Sequence, residues 1–157
     1  MTRLLLGDVK PGDHLPTLAY DVTATTVVLG ALASRDWRPM HHDYDFAVNR
    51  NGMQDIFLNT PNQAAWFERY VTDWTGPAGR LGRMQFRMKS SVFPGDEMHF
   101  DGTVEQREVD DAGCGWVQLL VRLTVDGETR SDCTVRVALT VSPDDSPWDR
   151  RGEDWKP

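Results

Sequence analysis

Asp36 and His41 lie in the short run D-W-R-P-M-H-H-D, where their side chains are close enough along the chain to act together. A carboxylate and an imidazole on one loop can hold a single water molecule between them. Such a pair can act as a general acid and a general base on that water. A reaction in which an oxygen of the substrate gains negative charge also needs hydrogen-bond donors for that oxygen.

Plainer roles for these side chains also fit the sequence. Asp36 can cap local backbone groups and His41 can pack on Trp37, since most such side chains serve local hydrogen bonds. A metal site is not expected, because His41, His42 and Asp43 are adjacent and neighbouring side chains of an extended loop point to different sides. No metal is therefore predicted, and no cofactor is predicted either.

The composition is that of one globular domain. The chain has 157 residues, 39% of them hydrophobic and 26% charged, with a net charge of −7. A negative field repels phosphate backbones, so a nucleic-acid partner is not expected. Cys114 and Cys133 lack the spacing of a zinc site or disulfide scaffold. The apolar run 4–6 is too short for a signal peptide or membrane span, which favours a cytoplasmic protein without a membrane partner.

Four runs in the second half of the chain alternate between apolar and polar residues, which predicts strands with one buried face. Turn signals separate them at Pro94-Gly95-Asp96, at 110–113 and at Asp126-Gly127. Four consecutive strands joined by short turns predict an antiparallel sheet. The runs are 84–92, 98–104, 117–125 and 133–141.

A long helix is predicted before this sheet, from the start signal Thr60-Pro61-Asn62 to the stop signal Gly76-Pro77. Positions 64, 67, 71 and 74 are apolar at helical spacing, and aromatic residues at 66 and 70 widen the stripe. An antiparallel sheet wrapped around this central helix satisfies both patterns. The predicted fold is therefore α+β, a single hot-dog domain over residues 1–141. A shorter helix is expected over 24–35, and residues 142–157 are expected to form a loosely attached polar extension.

The run D-W-R-P-M-H-H-D resembles the D-x-N-P-x-H-x-D signature of the MaoC-like (R)-specific enoyl-CoA hydratases. The later V-F-P-G-D-E-M, with G-T-V after it, resembles that family's strand-turn-strand pattern. The resemblance spans roughly residues 9–141. It implies a hydro-lyase in which Asp36 and His41 activate the water.

Two departures from the family pattern bear on the site. Arg38 stands where the broad family has Asn, so one supporting hydrogen bond must differ. Many relatives carry a His-Gly pair before the central helix, where this chain reads I-F-L-N-T. Because a helix N-terminus has free N–H groups, Asn59 or Thr60 is expected to bind the thioester oxygen instead.

A closer similarity involves the runs S-R-D-W-R-P-M-H-H-D, M-Q-D-I-F-L-N and E-R-Y-V-T-D-W-T-G-P. They are similar to the small catalytic subunits of heteromeric bacterial steroid side-chain enoyl-CoA hydratases, lipid-metabolising enzymes that pair two different MaoC-like chains. The similarity implies an acyl-CoA thioester substrate, a bulky steroid side-chain enoyl-CoA. It also implies a second MaoC-like chain as partner, with a homodimer as the alternative.

Two other functions remain open at this point. A hot-dog acyl-CoA thioesterase would place its carboxylate on the central helix, where Glu68 and Asp73 are the only acids. A non-catalytic structural subunit of a heteromeric hydratase is favoured by the missing His-Gly pair.

Overall fold

Residues 3–157, which the computed structural model describes, form one five-stranded antiparallel sheet with a long helix against it. In chain order the elements are β1 (Leu18–Asp21), α1 (Ala24–Ala33), α2 (Thr60–Thr75), β2 (Arg80–Met88), β3 (Glu97–Val109), β4 (Gly115–Val125) and β5 (Glu128–Leu139). The strand order in the sheet is β1-β3-β4-β5-β2. Both helices therefore lie between β1 and β2 in the chain, and β3, β4 and β5 are successive neighbours in the sheet.

The alternating sequence pattern explains which face of the sheet is buried. Along β4 every second residue from Val117 to Val125 is buried, and β5 has the same alternation from Cys133 to Val137. The turn between these strands is Asp126-Gly127, where φ is +51° and +78°. Positive φ at both central residues matches the right-handed twist of the flanking strands, so this dipeptide sets the register of the hairpin.

Helix α2 packs its apolar face on the inner side of the sheet. The ring of Phe100 in β3 lies edge-on to Phe67 at 5.3 Å and stacks on Tyr70 at 5.8 Å. A side chain at position 102 would meet the Tyr70 ring at 3.0 Å, so Gly102 leaves the room that the ring needs. These contacts fix the helix against the sheet, with its N-terminus next to the loop that carries Asp36.

The strands differ from the sequence prediction in three ways. β2 and β3 are consecutive but do not pair, since β2 lies at the far edge beside β5. The run predicted over 84–92 ends as a strand at Met88, and Val92 lies in the following loop, where its carbonyl accepts the Leu58 N–H at 3.0 Å. Strand β1 was not predicted, because its four residues are mostly exposed and lack an alternating pattern.

The C-terminal residues do not form the loosely attached extension that their composition predicted. Arg80 of β2 donates to the carbonyls of Pro147 and Arg150, both at 3.0 Å. The same guanidinium lies 3.7 Å from the centre of the Trp155 ring, which in turn packs on Trp116 at 4.8 Å. Aromatic and cation–π contacts therefore hold the segment to the sheet, although it is rich in charged residues. The domain boundary at residues 141 and 142 stays a prediction.

Candidate active site

The end of α1 fixes the backbone at Asp36. The Asp36 N–H donates to the Ala31 carbonyl at 2.9 Å, and the Arg35 N–H donates to the Leu32 carbonyl at 3.1 Å. Arg35 has a φ of +54°. This bond pattern is the Schellman ending of a helix, in which a residue in the left-handed region turns the chain out of the helix axis. The helix is therefore shorter than predicted, and Asp36 projects from its C-terminal turn.

Two features hold the His41 ring in place. Arg38 has the extended conformation that the following Pro39 favours, with φ −65° and ψ 127°, and residues Pro39–His41 then form a short 3-10 turn. The His41 Nδ1 atom lies 2.8 Å from the Phe57 carbonyl, and the two rings pack edge to face at 4.8 Å. His41 is 3% exposed, whereas Trp37 is 65% exposed. The alternative in which His41 packs on Trp37 is wrong.

The structure brings Asp36 and His41 together with their polar atoms facing each other. Asp36 Oδ2 lies 3.6 Å from His41 Nε2. Because a carbonyl can only accept, the Phe57 contact requires the hydrogen on His41 Nδ1. A neutral His41 then has its lone pair on Nε2, on the side of Asp36. Both facing atoms are acceptors, so one water molecule can donate a hydrogen bond to each, at Oδ2 as a third donor beside Arg38 and Asn59.

Asp36 has two further polar partners. The Arg38 guanidinium donates from Nε to Oδ1 and from one terminal nitrogen to Oδ2, each at 2.8 Å. The Asn59 amide donates to Oδ2 at 3.0 Å. The Arg38 contacts hold the pKa of Asp36 well below its usual range, against the opposing effect of burial, and the Asn59 amide adds to this lowering. Asp36 is therefore a carboxylate that accepts hydrogen bonds and does not donate them.

Asn59 is the N-cap of α2, and Thr60 is the first helical residue. The Asn59 side-chain oxygen accepts the Asn62 N–H at 3.1 Å, and its backbone oxygen accepts the Gln63 N–H at 3.1 Å. Pro61 has no N–H. Within residues 3–157 the N–H groups of Asn59 and Thr60 have no acceptor, so they are the free donors of this helix end.

The Asn59 side chain has a second role that the sequence reasoning missed. Its amide nitrogen, which donates to Asp36, also lies 2.8 Å from Ser34 Oγ. Asn59 thus connects the N-terminus of α2 to the last turn of α1 while it caps its own helix. The cap could be foreseen from the order Asn-Thr-Pro. The contact to Asp36 could not, because it depends on how the two helices pack.

Surface cavities of the described residues lie away from this pair. One of about 590 Å³ at the C-terminal end of α2 is lined by Trp74, Pro77 and Trp148, among others. Another of about 180 Å³ is lined by Leu18, Tyr70 and Trp74. Neither includes Asp36 or His41. Among residues 3–157 no three His, Cys, Asp or Glu side chains converge as metal ligands would.

The acids of the central helix lie far from the pair. Glu68 and Asp73 are exposed, and Asp73 pairs with Arg69 at 3.4 Å. At 1.5 Å per residue they lie about 12 and 20 Å along the helix from Thr60. The site geometry therefore gives no support to a thioesterase whose carboxylate is on this helix.

We expect Glu68→Gln and Asp73→Asn to leave hydration activity within about twofold of the wild type, because surface substitutions away from a site have small effects. The measurement is the steady-state rate of each variant beside its mass in solution. A large loss of activity in a normally assembled variant would favour the thioesterase-like site instead.

Comparisons with known proteins extend this description. No protein-family model matches the chain. Over 93 residues, 59% of this chain and 71% of the relative, it is 38% identical to the beta subunit of 3-oxo-4,17-pregnadiene-20-carboxyl-CoA hydratase from Mycobacterium tuberculosis. It matches a chain of the ChsH1-ChsH2 complex from the same organism with a TM-score of 0.75 at 31% identity, covering 83% of this chain and 98% of that one.

A more distant structure shows the fold alone. The (R)-hydratase PhaJ1 from Pseudomonas aeruginosa matches with a TM-score of 0.78 at 15% identity, covering 89% of this chain and 88% of that one. The predicted hot-dog fold is thereby confirmed, as an α+β domain with one five-stranded antiparallel sheet.

Fold and similarity together define a hydro-lyase built on a hot-dog domain. The chain belongs to the MaoC-like (R)-specific enoyl-CoA hydratase family, as its sequence motifs predicted. Within residues 3–157, no helix has both the length and the apolar character needed to cross a membrane.

Proposed function

We propose that this chain adds water across the α,β double bond of an enoyl-CoA thioester, with Asp36 and His41 as its catalytic residues. The observation that carries the proposal is the 3.6 Å approach of Asp36 Oδ2 and His41 Nε2 beside the N-terminus of α2. A water molecule that donates one proton to each atom has its lone pairs directed away from both, toward a bound substrate. Positioning of this kind supplies much of the rate enhancement of such a site.

In the proposed reaction the water oxygen forms a bond to the β carbon while His41 Nε2 takes one water proton. The electron pair of the double bond moves toward the thioester oxygen, which becomes enolate-like. His41 then returns its proton to the α carbon, so one molecule of water has been added in total. Asp36 remains a carboxylate throughout and stabilises the transient positive charge on His41.

The N-terminus of α2 supplies the donors for the thioester oxygen in this scheme. Thr60 is exposed and Asn59 is 1% exposed, so the Thr60 N–H is the more accessible of the two free backbone groups. The positive end of the helix dipole favours the developing negative charge at the same place. We assign the Thr60 N–H as the main donor and the Asn59 N–H as the second.

We further propose that the substrate is a bulky steroid side-chain enoyl-CoA and that the chain acts in a complex with a second MaoC-like chain. The relative at 38% identity is named for a pregnadiene carboxyl-CoA substrate and as a beta subunit. The similar solved structure at 31% identity is a complex of two different chains.

Co-expression with a neighbouring MaoC-like chain tests this proposal. We expect a stable heteromer that hydrates a steroid side-chain enoyl-CoA at least about tenfold better, by kcat/KM, than a short straight-chain enoyl-CoA, since a fitted apolar pocket discriminates by about this much per methylene. Mass in solution and hydration rates are measured for the chain with and without its partner. A stable homodimer that hydrates short substrates unaided would contradict the partner and the steroid assignment while leaving Asp36 and His41 in place.

A further inference from the structure

The Arg38 guanidinium forms a two-point contact with the Asp36 carboxylate. Both side-chain bonds are 2.8 Å long, and the Arg38 backbone N–H is a third donor, 3.4 Å from Oδ1. The Asp36 side chain is 9% exposed and the Arg38 side chain 63%. An arginine fork of this kind fixes both the position and the rotation of a carboxylate, which a single donor does not.

The surroundings of Asp36 leave Arg38 as its one positively charged partner. Within the described residues, Arg38 and His41 are the charged or titratable groups that contact the Asp36 carboxyl, and both belong to the same loop. At the N-cap of α2 the neutral Asn59 amide donates to it, and at the C-cap of α1 Ser34 contacts that amide. The Asp36 side chain is mostly out of water and the Arg38 side chain is largely exposed, so the fork is a partly buried ion pair and not one between two exposed side chains.

We propose that Arg38 is a positioning residue for hydration, which orients Asp36 Oδ2 toward the water shared with His41 and keeps Asp36 as an acceptor only. This inference rests on the proposed function. With Asp36 held as an acceptor, the proton released by the attacking water goes to His41 Nε2 and not to Asp36. Arg38 acts through Asp36 and does not contact the reacting atoms.

Three variants, measured in the assembled protein, separate geometry from charge. Arg38→Gln removes the fork and the charge, and Arg38→Lys keeps the charge but presents a single nitrogen. Arg122→Gln is the matched control, because it removes an exposed guanidinium from the outer face of β4. The readouts are kcat and KM for enoyl-CoA hydration and the pH titration of the Asp36 carboxyl carbon by nuclear magnetic resonance.

For Arg38→Gln we expect kcat to fall by about 10- to 100-fold with KM within about threefold, since a small misplacement of a catalytic group can cost about 100-fold. The titration midpoint of Asp36 should rise in Arg38→Gln and rise less in Arg38→Lys, while kcat stays low in both. Arg122→Gln should match the wild type in every readout.

Two results would overturn the inference. One is an unchanged kcat with a raised KM, which would make Arg38 a substrate-binding residue. The other is an Asp36 titration that does not move when Arg38 is replaced. If the wild type hydrates no enoyl-CoA, the proposed function fails. The shift of the Asp36 titration midpoint in the Arg38 variants then tests, independently of activity, whether Arg38 holds the Asp36 carboxylate.

Discussion

His41→Ala and Asp36→Asn should each lower the rate of enoyl-CoA hydration by about 10²–10⁴-fold, the usual effect of removing a positioned acid or base. His41→Ala removes the Nε2 atom that lies 3.6 Å from Asp36 and takes the water proton. Asp36→Asn keeps the side-chain size but replaces one oxygen by an NH₂ group, which cannot accept a hydrogen bond from the water. Because Arg38 and Asn59 both donate to Asp36, the new NH₂ group would then face one of these donors without an acceptor between them.

Initial hydration rates of the purified assemblies, recorded beside thermal unfolding and mass in solution, test this expectation. His42→Ala is the matched control, because His42 is exposed and forms no hydrogen bond to Asp36 in the described part of the chain. The double variant of Asp36 and His41 should be little less active than the less active of the two single variants. The effects of groups that act as one unit are not additive. Folded single variants with near wild-type turnover would show that the catalytic assignment is wrong.

Local sequence patterns predicted the elements of this fold better than their arrangement. The alternation in β4 and β5 and the dipeptide Asp126-Gly127 are local signals, and the hairpin they predict is present. A period of two tells which face of a strand is buried but not which strand lies beside it. The pairing of β2 with β5, and not with β3, depends on contacts far apart in the chain. Sequence periodicity therefore carries no signal for it.

The same distinction applies to the candidate site. The spacing of Asp36 and His41 on one loop, and the restriction of Arg38 by Pro39, are local and could be predicted. The contact of the Asn59 amide with Asp36 joins residues 23 positions apart. It requires the left-handed turn at the end of α1 and the packing of α1 against α2. The sequence indicated Asn59 only as a backbone donor, and its side-chain role appears only in the folded chain.

Two substitutions of Asn59 separate its helix-capping role from its contact with Asp36. Asn59→Ala removes both the cap oxygen and the amide donor. It should lower the free energy of unfolding by about 1 kcal/mol, the typical cost of losing an N-cap. It should also lower kcat by about 10- to 100-fold, an effect seen when a group that orients a functional side chain is removed. Thr23→Ala is the control, because Thr23 caps α1 through the Thr26 N–H at 3.1 Å without contacting Asp36.

Asn59→Asp provides the complementary test. Aspartate caps a helix as well as asparagine does, so the N-terminus of α2 should remain capped. Its carboxylate, however, replaces the amide that lies 3.0 Å from Asp36 Oδ2. Two like charges this close raise the pKa of one carboxyl above its unfolded value. The variant should therefore be destabilised at neutral pH and recover stability as the pH falls through that raised pKa, where the unfolded chain binds fewer protons than the folded one.

Unfolding free energies at several pH values, together with kcat at neutral pH, distinguish the two roles of Asn59. We expect Asn59→Asp to lose at least as much activity as Asn59→Ala at neutral pH, although it retains the cap. Thr23→Ala should lose a similar free energy of unfolding to Asn59→Ala, because losing an N-cap costs about 1 kcal/mol in either helix. It should keep its turnover within about twofold, because Thr23 does not contact Asp36. If Asn59→Ala loses no more activity than Thr23→Ala at equal stability, the amide contact does not position Asp36. In that case the Arg38 fork alone would hold the carboxylate in the orientation that faces His41.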